Sequence, residues 1–213
     1  MQKQSEPLRS AAQFLPDKKT LTELRNAAQG CKGCDLYLRG TQTVFGEGRS
    51  AASIMLVGEQ PGDKEDQEGK PFVGPAGHLL DKCLAESGID RNQVYVTNMV
   101  KHFKWVPRGK RRIHEKPNSL EIAACRPWLD AELAAVKPKV VVCLGATAAQ
   151  GLLGKTFRVT KSRGEKQTIS GYPPILATVH PSSILRARTD ADREEGIRAF
   201  IADLKKVAAL ISS

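Results

Sequence analysis

The sequence predicts an α/β protein with three layers, a central, mostly parallel four-stranded sheet with helices on both faces. Three observations carry this. Four short apolar runs, Ser53–Gly58, Val94–Thr97, Lys139–Leu144 and Ile175–Val179, read as strands, the first with a buried pattern. Amphipathic stretches with helical spacing alternate with them, which implies a sheet covered on both faces. The residues that look chemical, from Glu59, from Asn98 and from His180 onward, each follow one of those runs, where an open parallel sheet collects its ligands.

Residues 1–19 are polar and contain Pro7 and Pro16, which predicts a flexible N-terminal leader ahead of a single domain over 20–213. Thr20 then opens a helix: Leu21, Leu24 and Ala28 recur at helical spacing, Glu23 holds the capping-box position and Gly30 is placed to stop it. Ser53–Gly58 is the first strand. A helix runs from Pro75 to Ser87, closed by Gly88, followed by a strand at Val94–Thr97 and a long helix at Ser119–Val136. Lys139–Leu144 reads as a strand, Ala146–Leu153 as a short helix, Ile175–Val179 as the last strand and Asp190–Leu210 as the closing helix. Phe157–Tyr172 has the pattern of a small hairpin turning at Arg163-Gly164.

Lysines and arginines outnumber aspartates and glutamates by 33 to 23, and the resulting formal charge of +10 on 213 residues favours a polyanionic partner through counterion release. Five cysteines, an odd number, and a segment Met1 to Pro16 without the apolar core of a signal peptide argue against a secreted disulfide scaffold. No run approaches the roughly eighteen apolar residues of a membrane span. The expectation is a soluble, cytoplasmic protein.

Gly58-Glu59-Gln60-Pro61-Gly62-Asp63-Lys64-Glu65-Asp66, followed by Pro71-Phe72-Val73-Gly74, is a loop leaving a buried strand. Its glycines let backbone amides approach a ligand, and its acids supply acceptors or a base. No Gly-Lys-Ser/Thr follows, so it is not a phosphate loop; the same residues also suit a tight connection with solvated acids. Thr178-Val179-His180-Pro181-Ser182-Ser183 follows the last strand, where His180 suits polarisation of a substrate oxygen and the serines suit a phosphate or a turn cap. Lys101 to His114 is strongly basic with Phe103 and Trp105 interleaved, a composition for gripping phosphates and stacking on bases, although a solvated charge run looks the same. Cys31-Lys32-Gly33-Cys34 has the spacing of a metal site or a redox disulfide. Cys83 and Cys143 lie in apolar patterns and read as core residues, Cys125 is the best third ligand, and His102 is also available.

Taken in order, Gly58-Glu59-Gln60-Pro61-Gly62, Pro71-Phe72-Val73-Gly74, Val96-Thr97-Asn98, Val142-Cys143-Leu144-Gly145 and His180-Pro181-Ser182 resemble the motifs of the iron–sulfur uracil-DNA glycosylases, a likeness spanning about Leu21 to Leu210. Lys110-Arg111-Arg112-Ile113-His114 resembles the signature of the UdgX branch, close to the family 4 enzymes. The resemblance implies a uracil-DNA glycosylase-like fold with a 4Fe-4S cluster held by Cys31, Cys34, His102 and Cys125, His102 standing where ordinary members have a cysteine. It further implies a monomeric DNA repair protein that excises uracil from DNA, single strands favoured, releases free uracil and traps the sugar C1′ through His114.

In that reading Gly58, Gln60, Phe72 and Asn98 bind uracil: Phe72 stacks on the flipped base, and the Asn98 amide, donor and acceptor at once, reads its polar edge. His180 and amides near Gln60 stabilise the charge on the leaving base, Glu59 orients or deprotonates His114, and Asp63 and Asp66 order a water or brace the loop. Lys101, Lys110, Arg111, Arg112, Ser182 and Ser183 are expected on DNA. Two readings compete: a turnover glycosylase in which His114 only touches phosphate, and a non-catalytic iron–sulfur or zinc module that binds nucleic acid. A redox protein built on Cys31 and Cys34 would need a thioredoxin-like strand and helix around the pair, which the sequence lacks.

Overall fold

The computed structural model describes residues 10–212. Along the chain lie α1 (Leu21–Ala28), β1 (Ile54–Gly58), α2 (Asp63–Glu68), α3 (Pro75–Glu86), β2 (Val94–Asn98), β3 (Trp105–Arg108), β4 (Arg111–His114), α4 (Ser119–Val136), β5 (Val140–Leu144), α5 (Ala146–Leu153), α6 (Val159–Ser162), β6 (Ile175–Thr178), α7 (Pro181–Leu185) and α8 (Asp190–Ser212). The central sheet has the order β2-β1-β5-β6 and every pairing in it is parallel. Gly58 stands opposite Asn98 and Leu144 opposite Thr178, so the loops leaving all four strands emerge at one edge. That edge carries the site.

Side chains alternate along each strand, and here both faces are buried, which explains the unbroken apolar runs. Ile54, Leu56, Val96, Val142 and Leu176 face Leu80 and Leu84 of α3 and Phe200 and Leu204 of α8. Met55, Val57, Tyr95, Val141 and Ala177 face Leu129 of α4 and Ala148 and Ala149 of α5. Leu56 is fully buried, and its truncation to alanine is expected to cost about 2–5 kcal/mol. A third cluster beside the sheet packs Leu24 and Ala28 of α1 with Cys31, Phe45, Val100, Cys125 and Trp128.

Local chemistry sets the helix ends. Thr20 Oγ1 accepts from Glu23 N at 3.3 Å to start α1, and Asn118 Oδ1 accepts from Leu120 N and Glu121 N to start α4. No helix among the described residues is long and apolar enough to cross a membrane.

The structure departs from the sequence reading in three places. The leader expected over 1–19 falls partly outside the described residues, but from Ser10 the chain is packed: Ala11–Phe14 forms a 3-10 turn against α4, with Ala11 buried. The hairpin expected at Phe157–Tyr172 is absent; that segment holds α6 and a single bridge from Gln167 to Ile175. The hairpin lies instead in the basic stretch, where β3 and β4 pair antiparallel across a two-residue turn whose first residue, Gly109, takes φ of 59°. Finally, the acidic loop after β1 coils into α2, with Glu65 and Asp66 buried rather than solvated.

Candidate active site

At the carboxyl edge of the sheet a cavity of about 470 Å³ is lined by residues from every strand-end loop: Glu59, Gln60, Phe72, Asn98, His114, Leu144, Thr147, His180 and Ser182 among them. Its base is closely packed. Gly58 must lack a side chain, because a Cβ there would lie 2.3 Å from Asn98 Oδ1 and 2.9 Å from the Phe72 ring. Phe72 itself sits at φ of 57°, an unfavourable region for a bulky residue, and its carbonyl occupies the place of any side chain at Gly77. Asn98 is 3% exposed and its Oδ1 has no hydrogen-bond partner, which leaves a buried amide oxygen unpaired at the pocket.

His180 caps α7. Its Nδ1 accepts from Ser182 N at 3.2 Å, and because a backbone amide can only donate, the ring proton of the neutral form is on Nε2. Burial pushes its pKa down to about 4, only partly opposed by Glu59, so at neutral pH His180 is an uncharged N–H donor.

At the pocket mouth His114 Nε2 lies 3.2 Å from Glu59 Oε1, and the other oxygen of Glu59 accepts from the Thr147 hydroxyl. Burial raises the Glu59 pKa, but the hydrogen bonds from His114 and Thr147 outweigh it and hold the carboxyl below the usual glutamate range. His114 keeps 51% of its side chain exposed, so an incoming group can reach it.

The profile of the uracil DNA glycosylase superfamily matches residues 45–205 of this chain, which span every element from β1 to the middle of α8. The chain belongs to the uracil-DNA glycosylase superfamily. A type-4 uracil-DNA glycosylase of Thermotoga maritima is 40% identical over 182 residues, covering 85% of this chain and 89% of that protein. Those of Sulfurisphaera tokodaii and Archaeoglobus fulgidus are 37% and 32% identical, over 78% and 90% of this chain and 76% and 93% of theirs. The α/β architecture and parallel four-stranded sheet agree with that membership.

Within this glycosylase-family site, the structure gathers Glu59, Gln60, Phe72, Asn98, His114, His180 and Ser182 around one cavity, with Gly58 beneath. The Gln60 side chain is occupied elsewhere: its Nε2 donates to Lys104 O and Glu115 O, and its Oε1 accepts from Lys104 N at 3.0 Å, which fastens both roots of the hairpin. Ser182 and Ser183 act as turn residues, Ser182 Oγ at 2.8 Å from His180 Nδ1 and Ser183 Oγ donating to His180 O at 2.7 Å.

Three expectations are corrected. Lys101 does not face DNA; it is fully buried, with Nζ 2.6 Å from Glu132 Oε2 and further bonds to Thr97 Oγ1 and Asn98 O. Its neighbours demanded a charge inside, since Glu132 also accepts from Gly46 N, Tyr95 and Thr97. Arg112 is not free for phosphates: Nε lies 2.5 Å from Asp63 Oδ1 and Nη1 2.6 Å from Asp66 Oδ2, and its guanidinium stacks over Phe103 and Trp105. Asp63 is accordingly a brace for the hairpin and does not line the cavity. Lys110 and Arg111 remain exposed at the hairpin tip.

Thr147 was given no role by the sequence, and Glu65 only the general one of an acid in the loop after β1. Glu65 bonds Gly62 N at 3.1 Å and Gly74 N at 2.8 Å, joining the two motif loops; its only sequence signal is the capping-box spacing from Gly62. Thr147 carries none beyond its place just after β5.

Proposed function

We propose that this chain excises uracil from DNA, single strands preferred, and that His114 then bonds to the deoxyribose C1′, leaving the protein covalently attached. The observation that carries this is the His114–Glu59 pair in the same cavity as the unpaired Asn98 amide oxygen. A flipped uracil offers Asn98 a donor and an acceptor and gives Phe72 a face to stack on. As the bond from C1′ to N1 breaks, its electron pair stays on uracil, where the Nε2–H of neutral His180 can donate a hydrogen bond to the developing negative charge. An imidazole nitrogen of His114 then supplies an electron pair to C1′, and the proton carried by the ring passes to Glu59. The family resemblance of Lys110-Arg111-Arg112-Ile113-His114 supports the trapping step. The type-4 names of the relatives favour a second reading, ordinary turnover with water attacking C1′.

A 4Fe-4S cluster belongs to the same reading. Cys31, Cys34 and Cys125 are free thiols gathered in or against one apolar cluster, and Cys125 and Cys31 are buried. His102 fits as the fourth ligand: Thr43 Oγ1 gives its proton to Ala28 O, so His102 Nε2, 3.0 Å from Thr43 Oγ1, must be the donor there, which leaves the Nδ1 lone pair for a metal. Ala28 O also accepts from Cys31 N, which ties the two ligand segments together. Among the described residues no group of three or more such side chains is arranged around one ion; cluster ligands each bind a different iron and stand wider apart. Held by these four residues, the cluster would cross-link the Cys31 turn, the end of β2 and α4.

The test is incubation with a uracil-containing single-stranded oligonucleotide, followed by a denaturing gel and mass analysis. A stable shifted species mapping to His114, converted to free abasic DNA by His114→Ser, is expected. Free abasic DNA from the wild-type protein would establish turnover, and intact uracil would leave a binding module.

A further inference from the structure

The hairpin β3–β4 has two unlike faces. Its register pairs Trp105 with His114, Val106 with Ile113, Pro107 with Arg112 and Arg108 with Arg111. Side chains alternate along a strand, so Trp105, His114, Pro107 and Arg112 share one face and Val106, Ile113, Arg108 and Arg111 the other. The first face is engaged by the body of the protein: Trp105 Nε1 donates to Arg39 O at 2.8 Å, Arg112 is held by Asp63 and Asp66, and His114 meets Glu59. The second face meets solvent. Val106 and Ile113 are 37% and 38% exposed, and the hairpin's ion pairs among the described residues run through Arg112 and His114 rather than Arg108, Lys110 or Arg111.

Two aliphatic side chains held opposite each other on a water-facing ribbon and rimmed by three cations suit a ligand that is flat and apolar at its centre and anionic around it. A nucleobase with its flanking phosphates has that chemistry. Position agrees with that ligand, because Ile113 directly precedes His114 on β4, so the platform is carried by the same ribbon whose opposite face brings His114 to Glu59 at the cavity mouth.

We propose that Val106 and Ile113 form a platform for the base next to the extracted uracil, while Arg108, Lys110 and Arg111 hold the adjoining phosphates. This rests on the uracil-excision reading of the cavity. The platform gives the neighbouring base a new apolar contact in place of the uracil it was stacked on, which lowers the cost of flipping.

Single-turnover uracil release at varied, excess protein tests it. Wild-type protein, Ile113→Ser, Val106→Ser and Ile113→Phe are compared on a single-stranded oligonucleotide with normal bases around uracil, and on two in which the 5′ or the 3′ neighbour is an abasic spacer. Each serine variant is expected to raise the half-saturating protein concentration about five- to tenfold on the normal oligonucleotide. One spacer should do the same to the wild-type protein, spacer and serine together should cost no more than either alone, and Ile113→Phe should bind as well as wild type. Serine variants without effect, or variant and spacer effects that simply multiply, would overturn the platform. Absence of uracil release by wild-type protein on every oligonucleotide would instead overturn the excision reading.

Discussion

His114 and Glu59 meet across two separate elements: Nε2 of the histidine that ends β4 lies 3.2 Å from Oε1 of the glutamate that follows β1. The contact depends on Arg112, two residues earlier on the same hairpin face, whose guanidinium is fixed to Asp63 and Asp66 of α2. A carboxylate in this position, with Thr147 donating to its second oxygen, is ready to receive a proton from the histidine ring.

Glu59→Gln preserves the shape but removes the proton acceptor. The covalent complex proposed above is expected to form about 10²-fold more slowly or worse, read from a denaturing-gel time course, while uracil-dependent binding persists. An adduct formed at the wild-type rate would mean that the proton leaves by another route.

The strands and the longer helices are legible in the sequence because their signals are local. Thr20 caps α1, Gly88 at φ of 74° follows α3, and the runs at β1 and β5 are apolar throughout because both faces are covered. The hairpin was not legible, since its stability comes from elsewhere: a stretch of Arg, Lys, Pro and Gly is held by Arg39 and by α2. Lys101 looked like a surface cation for the same reason, its partner Glu132 being 31 residues away. Asn98, at the end of β2, and His180, just past β6, line the cavity, and their position at the sheet edge was legible because it needs only the strand to be recognised.

His180 has a pH signature. Burial holds its folded value at about 4, so the neutral donor is present at pH 7 and is lost only as pH falls towards that value. In the unfolded chain the ring takes up its proton earlier, near the ordinary histidine value; its contribution to stability is therefore complete above that value and declines as pH falls towards about 4. Between about pH 7 and pH 5, wild-type protein should lose more melting temperature than His180→Gln, which cannot titrate. Equal losses in thermal melts would show that other groups govern this window.

The buried pair Lys101–Glu132 separates stability from DNA contact. Lys101→Met leaves Glu132 inside without its cation and is expected to cost about 3–5 kcal/mol in urea unfolding, most of it recovered by adding Glu132→Gln. The salt dependence of oligonucleotide binding should be unchanged by that substitution. Lys110→Ala and Arg111→Ala, at the exposed tip, should each reduce the log–log salt slope by about 0.7 for single strands with little effect on unfolding. A slope that falls in Lys101→Met would place that lysine on DNA after all.

Thr43 offers a test of the fourth ligand that does not depend on activity. Its hydroxyl donates to Ala28 O at 2.8 Å and thereby obliges His102 to donate through Nε2, which leaves the Nδ1 lone pair uncommitted for the metal proposed above. Valine at position 43 keeps the volume but frees the tautomer, whereas serine keeps the hydroxyl. Iron bound per protein chain, and the rate at which a chelator removes it, should worsen about 10- to 100-fold in affinity for Thr43→Val and recover in Thr43→Ser. If Thr43→Val loads and retains iron as wild type does, orientation of His102 by Thr43 plays no part in the proposed cluster site.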